Sequence, residues 1–176
     1  MRRHVCTVEN RRSIPSAIRR ILVPVDFSEE SRAALSYAAD LAARHGARVD
    51  ALHVVQVPTY PAMAMWAEPG VDPKGANGVP TFAQHVHDLA AQRLDELVSS
   101  CERPGAILQG SLDDGDPIEV VVRRAADYDL LLIGGHREGA SALFLGNVGD
   151  RVAGEVSIPV ISVHVEEVED ARASSF

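Results

Sequence analysis

The chain has 176 residues and an apolar fraction of 46%, which suits one globular domain and excludes wholesale disorder. Its net charge of −8 repels nucleic acid and anionic membranes over long range, so neither is expected as a partner. No apolar run approaches the ~18 residues that span a bilayer and no signal-peptide core opens the chain, so a cytoplasmic protein is expected.

The charge is uneven. Residues 1–20 carry six arginines against Glu9, a local +5, which leaves −13 for the rest. Residues 1–18 read as a disordered basic tail. The run "RRILVPVDFS" (19–28) is a short buried strand ending near Asp26. Ser28 can cap the helix that follows, with Glu29 and Glu30 in its first turn. Ala34, Tyr37, Ala38, Leu41 and Ala42 recur at helical spacing, and Gly46 stops the helix. "ARVDALHVVQV" (47–57) is a second strand. Residues 58–80 form a long loop rich in proline, either disordered or a functional lid, in which Met65 and Trp66 either pin it to the body, the favoured reading, or touch a ligand or partner.

Thr81 to Gln84 fits a capping box, and Val86, Leu89, Ala90, Leu94, Leu97 and Cys101 then make one apolar stripe. Pro104 and Gly105 end that helix. "AILQGSL" (106–112) is a third strand. Asp116, Pro117 and Glu119 supply cap, first-position proline and third-position acid for the next helix. Ile118, Val121, Val122 and Ala125 face inward. "YDLLLIGG" (128–135) is nearly continuous in apolar residues, as a central parallel strand should be. After a glycine-containing loop, Asn147 can cap a last helix striped by Val148, Val152 and Val156. "IPVISVHV" (158–165) is a fifth strand, and 166–176 a charged tail.

Strictly alternating strands and helices demand an α/β fold with a parallel sheet, right-handed crossovers and helices on both faces. Ligands of such sheets bind beyond the carboxyl ends of the strands, where the winding reverses. Asp26 follows the first strand, and Gly134 and Gly135 follow the fourth. Were those strands neighbours, both features would meet at one crevice.

The segments "ILVPVDFSEESRAALSYAADLAARHGARVDALHVV", "GDPIEVVVRRAADYDLLLIGGH" and "LFLGNVGDRVAGEVSIPVISV" resemble the universal stress protein family from about residue 19 to 165. The resemblance implies a single doubly wound five-stranded sheet in order 3-2-1-4-5 with four helices on both faces. It implies a stress-response role and homodimers joined along the last strand, here residues 159–164. Some members bind ATP through a motif G-x2-G-x9-G-S/T. Carried over position by position, that site would involve Pro24, Asp26, Val54, Ile133, Gly134, Arg137, Gly146, Asn147 and Val148. Asp26 would meet the ribose, and Val54 would lie where adenine packs.

The match is partial. Gly134 and Gly146 fit the first and third motif glycines, but eleven residues separate them instead of twelve and the second glycine is missing. Asn147 replaces the serine or threonine. A lysine-free phosphate site depends on backbone amides and a helix N-terminus, so deleting one residue changes which amides point inward. Arg137 either folds over the mouth and adds a charge, or the shortened loop closes the pocket. Two readings therefore stand: weak ATP binding, or a dimeric interaction module with an empty crevice.

Catalysis is not expected. The single lysine, Lys74, rules out a P-loop. "VDFSEES" lacks the glycines that adenylate-forming folds place after their first strand. His136 has no group to orient it as a base. His85 and His87 are two apart, face different ways on a helix, and cannot share a metal. Asp113, Asp114 and Asp116 read as a helix cap with solvated neighbours. Cys6 and Cys101 have no partners at metal-ligand spacing, and a disulfide is not expected.

Overall fold

The computed structural model describes residues 2–8, 17–56, 82–135 and 146–167. The elements in chain order are β1 (Arg2–Val8), β2 (Arg20–Pro24), α1 (Glu29–His45), β3 (Arg48–Val55), α2 (Phe82–Cys101) and β4 (Ile107–Asp114). After these come α3 (Pro117–Ala125), β5 (Leu130–Gly134), α4 (Gly146–Glu155) and β6 (Val160–Glu167). Among the described residues they form one six-stranded sheet in order β1-β6-β5-β2-β3-β4. The five strands β2 to β6 are parallel and run β4-β3-β2-β5-β6, the order the resemblance implies.

The sixth strand corrects the sequence reading. Residues 2–8, assigned to a disordered tail, pair antiparallel with β6, from Arg2 opposite Glu167 to Val8 opposite Ile161. The sheet is therefore mixed, and β6 runs on through Glu166 and Glu167, which had been given to the charged tail. Val5, Thr7 and Val8 of this segment are β-branched and suit a pleated edge. The register sets Arg3 opposite Glu166. The edge along which copies were expected to join, 159–164, is thus largely covered by the chain itself.

Successive strand residues supply opposite faces of the sheet. Ile21, Val23, Val49, Ala51, Leu130 and Leu132 belong to one core cluster with α1 and α2. Leu22, Leu52, Leu131 and Ile133 belong to the other, with Ile118 and Val121 of α3 and Val152 of α4. All five residues of β5 are buried, as expected of a strand with neighbours on both sides and helices on both faces.

Helix boundaries follow their caps. The Ser28 side chain accepts from the Ser31 N–H, and Gly46 closes α1 in the left-handed conformation at φ 67°. Asp116 accepts from the N–H groups of Ile118 and Glu119 at 2.9 and 3.1 Å, with Pro117 at the first position of α3. Two details differ from the sequence reading. The stripe of α2 buries Ala90, Leu94, Leu97, Val98 and Cys101, while Leu89 is 47% exposed at its margin. Helix α4 begins at Gly146, so Asn147 lies inside the first turn and not before it. The expected cap Thr81 and the 58–80 loop lie outside the described residues.

Candidate functional site

The chain leaves β2 and adds β3 and β4 on one side, then returns to add β5 and β6 on the other. The winding reverses between β2 and β5, and the carboxyl ends of those two strands define the crevice. Asp26 and the first turn of α1 lie at its β2 side; Gly134, Gly135 and the start of α4 belong to its β5 side.

Asp26 is held in a tight turn. Its Oδ1 accepts from the Ser28 N–H at 3.1 Å and from the Ser28 hydroxyl. Phe27, between them, has φ 66°, a left-handed value that costs a phenylalanine about 1–3 kcal/mol. The turn is secured from the side. The Phe27 ring packs on His53, with centroids 4.3 Å apart, and His53 Nδ1 lies 2.8 Å from the Val25 carbonyl. That contact requires the proton on Nδ1, since a carbonyl can only accept. His53 thus serves packing and supports the Asp26 turn. Among the described residues, the hydrogen bonds to the Asp26 carboxylate are made through Oδ1.

Gly134, which ends β5, and Gly135 just after it have packing roles. A Cβ on Gly134 would sit 2.6 Å from the Glu30 carbonyl carbon and 2.7 Å from the Ser31 nitrogen. Only glycine lets β5 approach the first turn of α1 this closely. A Cβ on Gly135 would sit 2.1 Å from Cε1 of His164. The Gly135 N–H is committed to the Val163 carbonyl at 2.9 Å, so it is not an amide for a phosphate. His164 is half-buried, and its Nδ1 has no partner among the described residues.

Of the other assigned positions, Pro24 ends β2 beside Leu52. Ile133 is 5% exposed in the second core cluster, so its side chain belongs to the core and not to the crevice lining. Val54 is half-buried against the same cluster. A cavity of about 460 Å³ opens nearby, lined by Val55, Gln56, Asp114, Gly115 and Asp116. Gly146 begins α4; the side chains of Asn147 and Val148 lie outside the description, as do Arg137 and His136 entirely. The acidic cluster fits the expected helix cap with solvated neighbours, the Asp114 side chain being 65% exposed, and adds two surface contacts. Asp116 caps α3, Asp114 contacts His87 Nε2 at 2.8 Å, and Asp113 pairs with Arg123 at 3.1 Å.

A larger cavity of about 740 Å³ lies at the opposite, amino ends of the strands, lined by Arg19, Arg20, Arg48, Asp50, Gln109 and Tyr128 among others. Helix α1 ends there at His45 and Gly46, where carbonyls point outward, whereas α1, α3 and α4 all start at the crevice end. Helix dipoles therefore favour a phosphate at the crevice and oppose one in this cavity. Its floor is a structural network built from segments far apart in the chain. Buried Asp50 accepts from the Tyr128 hydroxyl, from Ser111 at 2.8 Å and from Arg124 at 3.4 Å. Burial raises the Tyr128 pKa above its ordinary value, helped by the hydrogen bond to Asp50. The Arg20 guanidinium stacks 4.7 Å above the Tyr128 ring.

The model of the universal stress protein family matches residues 17–164. The chain belongs to the universal stress protein family. A universal stress protein of Mycolicibacterium smegmatis is 29% identical over 146 residues, 81% of this chain and 45% of the relative. The chain thus spans about half the length of that curated relative. A universal stress family protein from Burkholderia pseudomallei shares the fold at 23% identity and a TM-score of 0.59, covering 84% of this chain and 97% of the other. The universal stress protein from Archaeoglobus fulgidus, solved in complex with dAMP, is 20% identical with a TM-score of 0.53, covering 83% and 97%. These last two likenesses concern the fold.

Proposed function

We propose that this member of the universal stress protein family is a stress-response regulator that binds adenine nucleotide, with ATP as the form expected, in the crevice between β2 and β5. The single observation that carries the reading is the Asp26 turn. It stands at the reversal point of the sheet, held by Ser28, Phe27 and His53, and a carboxylate there would accept a hydrogen bond from a ribose hydroxyl. The dAMP complex of the Archaeoglobus fulgidus family member supports an adenine nucleotide as ligand. In this reading the nucleotide is a ligand and not a substrate, and phosphate is held by amides around the start of α4.

A second reading, a protein-interaction module with no nucleotide, is favoured by one observation. Gly134 and Gly135 are both accounted for by packing, and the Gly135 amide is committed, so their presence does not argue for a phosphate. The two readings part on one experiment. Purified protein is tested for bound adenine nucleotide by absorbance and mass, then for thermal stabilisation by millimolar ATP. A ligand at ten times its Kd adds ~1.4 kcal/mol, a shift of roughly 3–6 °C for a chain this size. Asp26→Asn keeps an acceptor for Ser28 and removes the negative charge, so it should weaken the ATP shift without unfolding the turn. No extracted nucleotide and no shift would leave the second reading.

A further inference from the structure

The cavity of about 740 Å³ at the amino ends of the strands has the size of an ordinary small-molecule site, ~300–1,000 Å³. Arg20 opens β2 and Arg48 opens β3, and the parallel register sets them directly opposite each other. Side chains two positions apart on a strand share a face. Arg20 lies two residues before Leu22 and Arg48 four before Leu52, and both leucines belong to the core cluster that holds Tyr128. The two guanidiniums therefore leave the sheet on one face, from strands ~4.8 Å apart. Like charges set opposite each other in this way cost stability.

The surrounding acids do not relieve the pair. Asp50, two residues beyond Arg48, is engaged by Arg124 and by the neutral donors Tyr128, Ser111 and Gln109. Asp129 accepts through Oδ2 from the backbone N–H groups of Arg19 and Arg20 at 2.8 and 2.9 Å. Among the described residues, the Arg48 side chain is exposed and has no ion pair, and the Arg20 guanidinium rests on the Tyr128 ring. That ring is itself fixed, because its hydroxyl donates to buried Asp50. A stacked guanidinium keeps its N–H edge for another partner. With Arg19 also in the lining, the cavity mouth is basic in a chain that carries −8.

We propose that the Arg20–Arg48 pair is a binding site for the dianionic phosphate group of a small organic phosphate. Such a group carries about −1.5 to −2 at neutral pH and three acceptor oxygens, which suit two guanidinium forks at once. Seated between the arginines it removes their repulsion, and the organic part occupies the remainder of the cavity. The end of α1 opposes an anion here with roughly half a negative charge, so the arginine side chains, not backbone amides, supply the affinity. The site is independent of nucleotide binding, whose crevice lies at the other end of the strands.

The test is amide chemical-shift mapping of the isotope-labelled chain, titrated with glycerol phosphate and separately with inorganic phosphate, against sodium chloride at matched ionic strength. Val49, Asp50 and Gln109 should shift together with a single millimolar dissociation constant. Glycerol phosphate should bind more tightly than inorganic phosphate; equal or weaker binding overturns the organic ligand. Arg48→Gln should weaken binding about tenfold or more, the worth of a charged hydrogen bond, without lowering the melting temperature of the free protein. Arg20→Gln, read the same way, is the second variant. Arg93→Gln removes an equal charge from α2, outside the cavity, and should bind like the parent. Asp26→Asn should also bind glycerol phosphate like the parent, which keeps this site apart from the nucleotide crevice. The proposal is overturned by shifts confined to Gly134, Gly135 and Gly146, by none at Val49, Asp50 and Gln109 at tens of millimolar ligand, or by equal weakening in Arg48→Gln and Arg93→Gln.

Discussion

Gly134→Ala tests the join on which the crevice depends. The added methyl would arrive 2.6 Å from the Glu30 carbonyl carbon, 2.7 Å from the Ser31 nitrogen and 2.8 Å from the Glu30 oxygen. All three are backbone atoms of the first turn of α1, so no side chain can swing aside. Either β5 or the start of α1 must move by several tenths of an ångström, and α1 carries the Ser28 cap and the Asp26 turn. Overpacking of this kind costs ~1–3 kcal/mol. For a chain this size that is roughly 2–12 °C of melting temperature. Gly154 is the control: it lies on α4 with nothing within 4 Å of a built Cβ. Gly154→Ala should stabilise by up to ~1 kcal/mol through helix propensity. Urea unfolding of both variants, followed by circular dichroism, reads the midpoint with the slope as a check on two-state behaviour. Were Gly134→Ala as stable as the parent but deaf to ATP, the packing account would be wrong and the glycine would be a ligand residue.

Two further outcomes follow from neighbouring contacts. Gly135→Ala drives a methyl into the His164 imidazole and should destabilise, whereas adding His164→Ala should recover much of the loss; simple additivity in a double-mutant cycle would contradict that contact. The raised Tyr128 pKa sets a pH dependence: the neutral phenol's contribution is whole below the unfolded value of ~10 and is lost as pH rises through the higher folded value. Urea midpoints of the parent should therefore fall faster than those of Tyr128→Phe between about pH 9 and 11, and parallel curves would remove Tyr128 from the account.

Much of the fold was legible because local chemistry and burial agree in it. Ser28, Gly46, Asp116 and Pro117 mark helix ends by hydrogen bonding and backbone freedom that act within a few residues. The unbroken apolar run of β5 announced a strand covered on every side. The family likeness then fixed the order of the parallel strands, which periodicity alone leaves open. What the residues could not show is what meets across the chain. Asp50 sits in an apolar strand pattern and reads as an exception until Tyr128, Ser111 and Arg124 converge on it from distant segments. Gly134 and Gly135 read as parts of a phosphate loop; packing against α1 and His164 gives them a different reason.

By itself the sequence determined the periodicities, the caps and the crevice end of the sheet, because each rests on interactions among near neighbours. Only the tertiary structure decided the fate of residues 2–8. A strand at a sheet edge is specified by the unpaired backbone it meets, and that backbone belongs to β6, more than 150 residues further along the chain. Composition marks those first residues as charged; the partner that makes them a strand exists only once the sheet is formed.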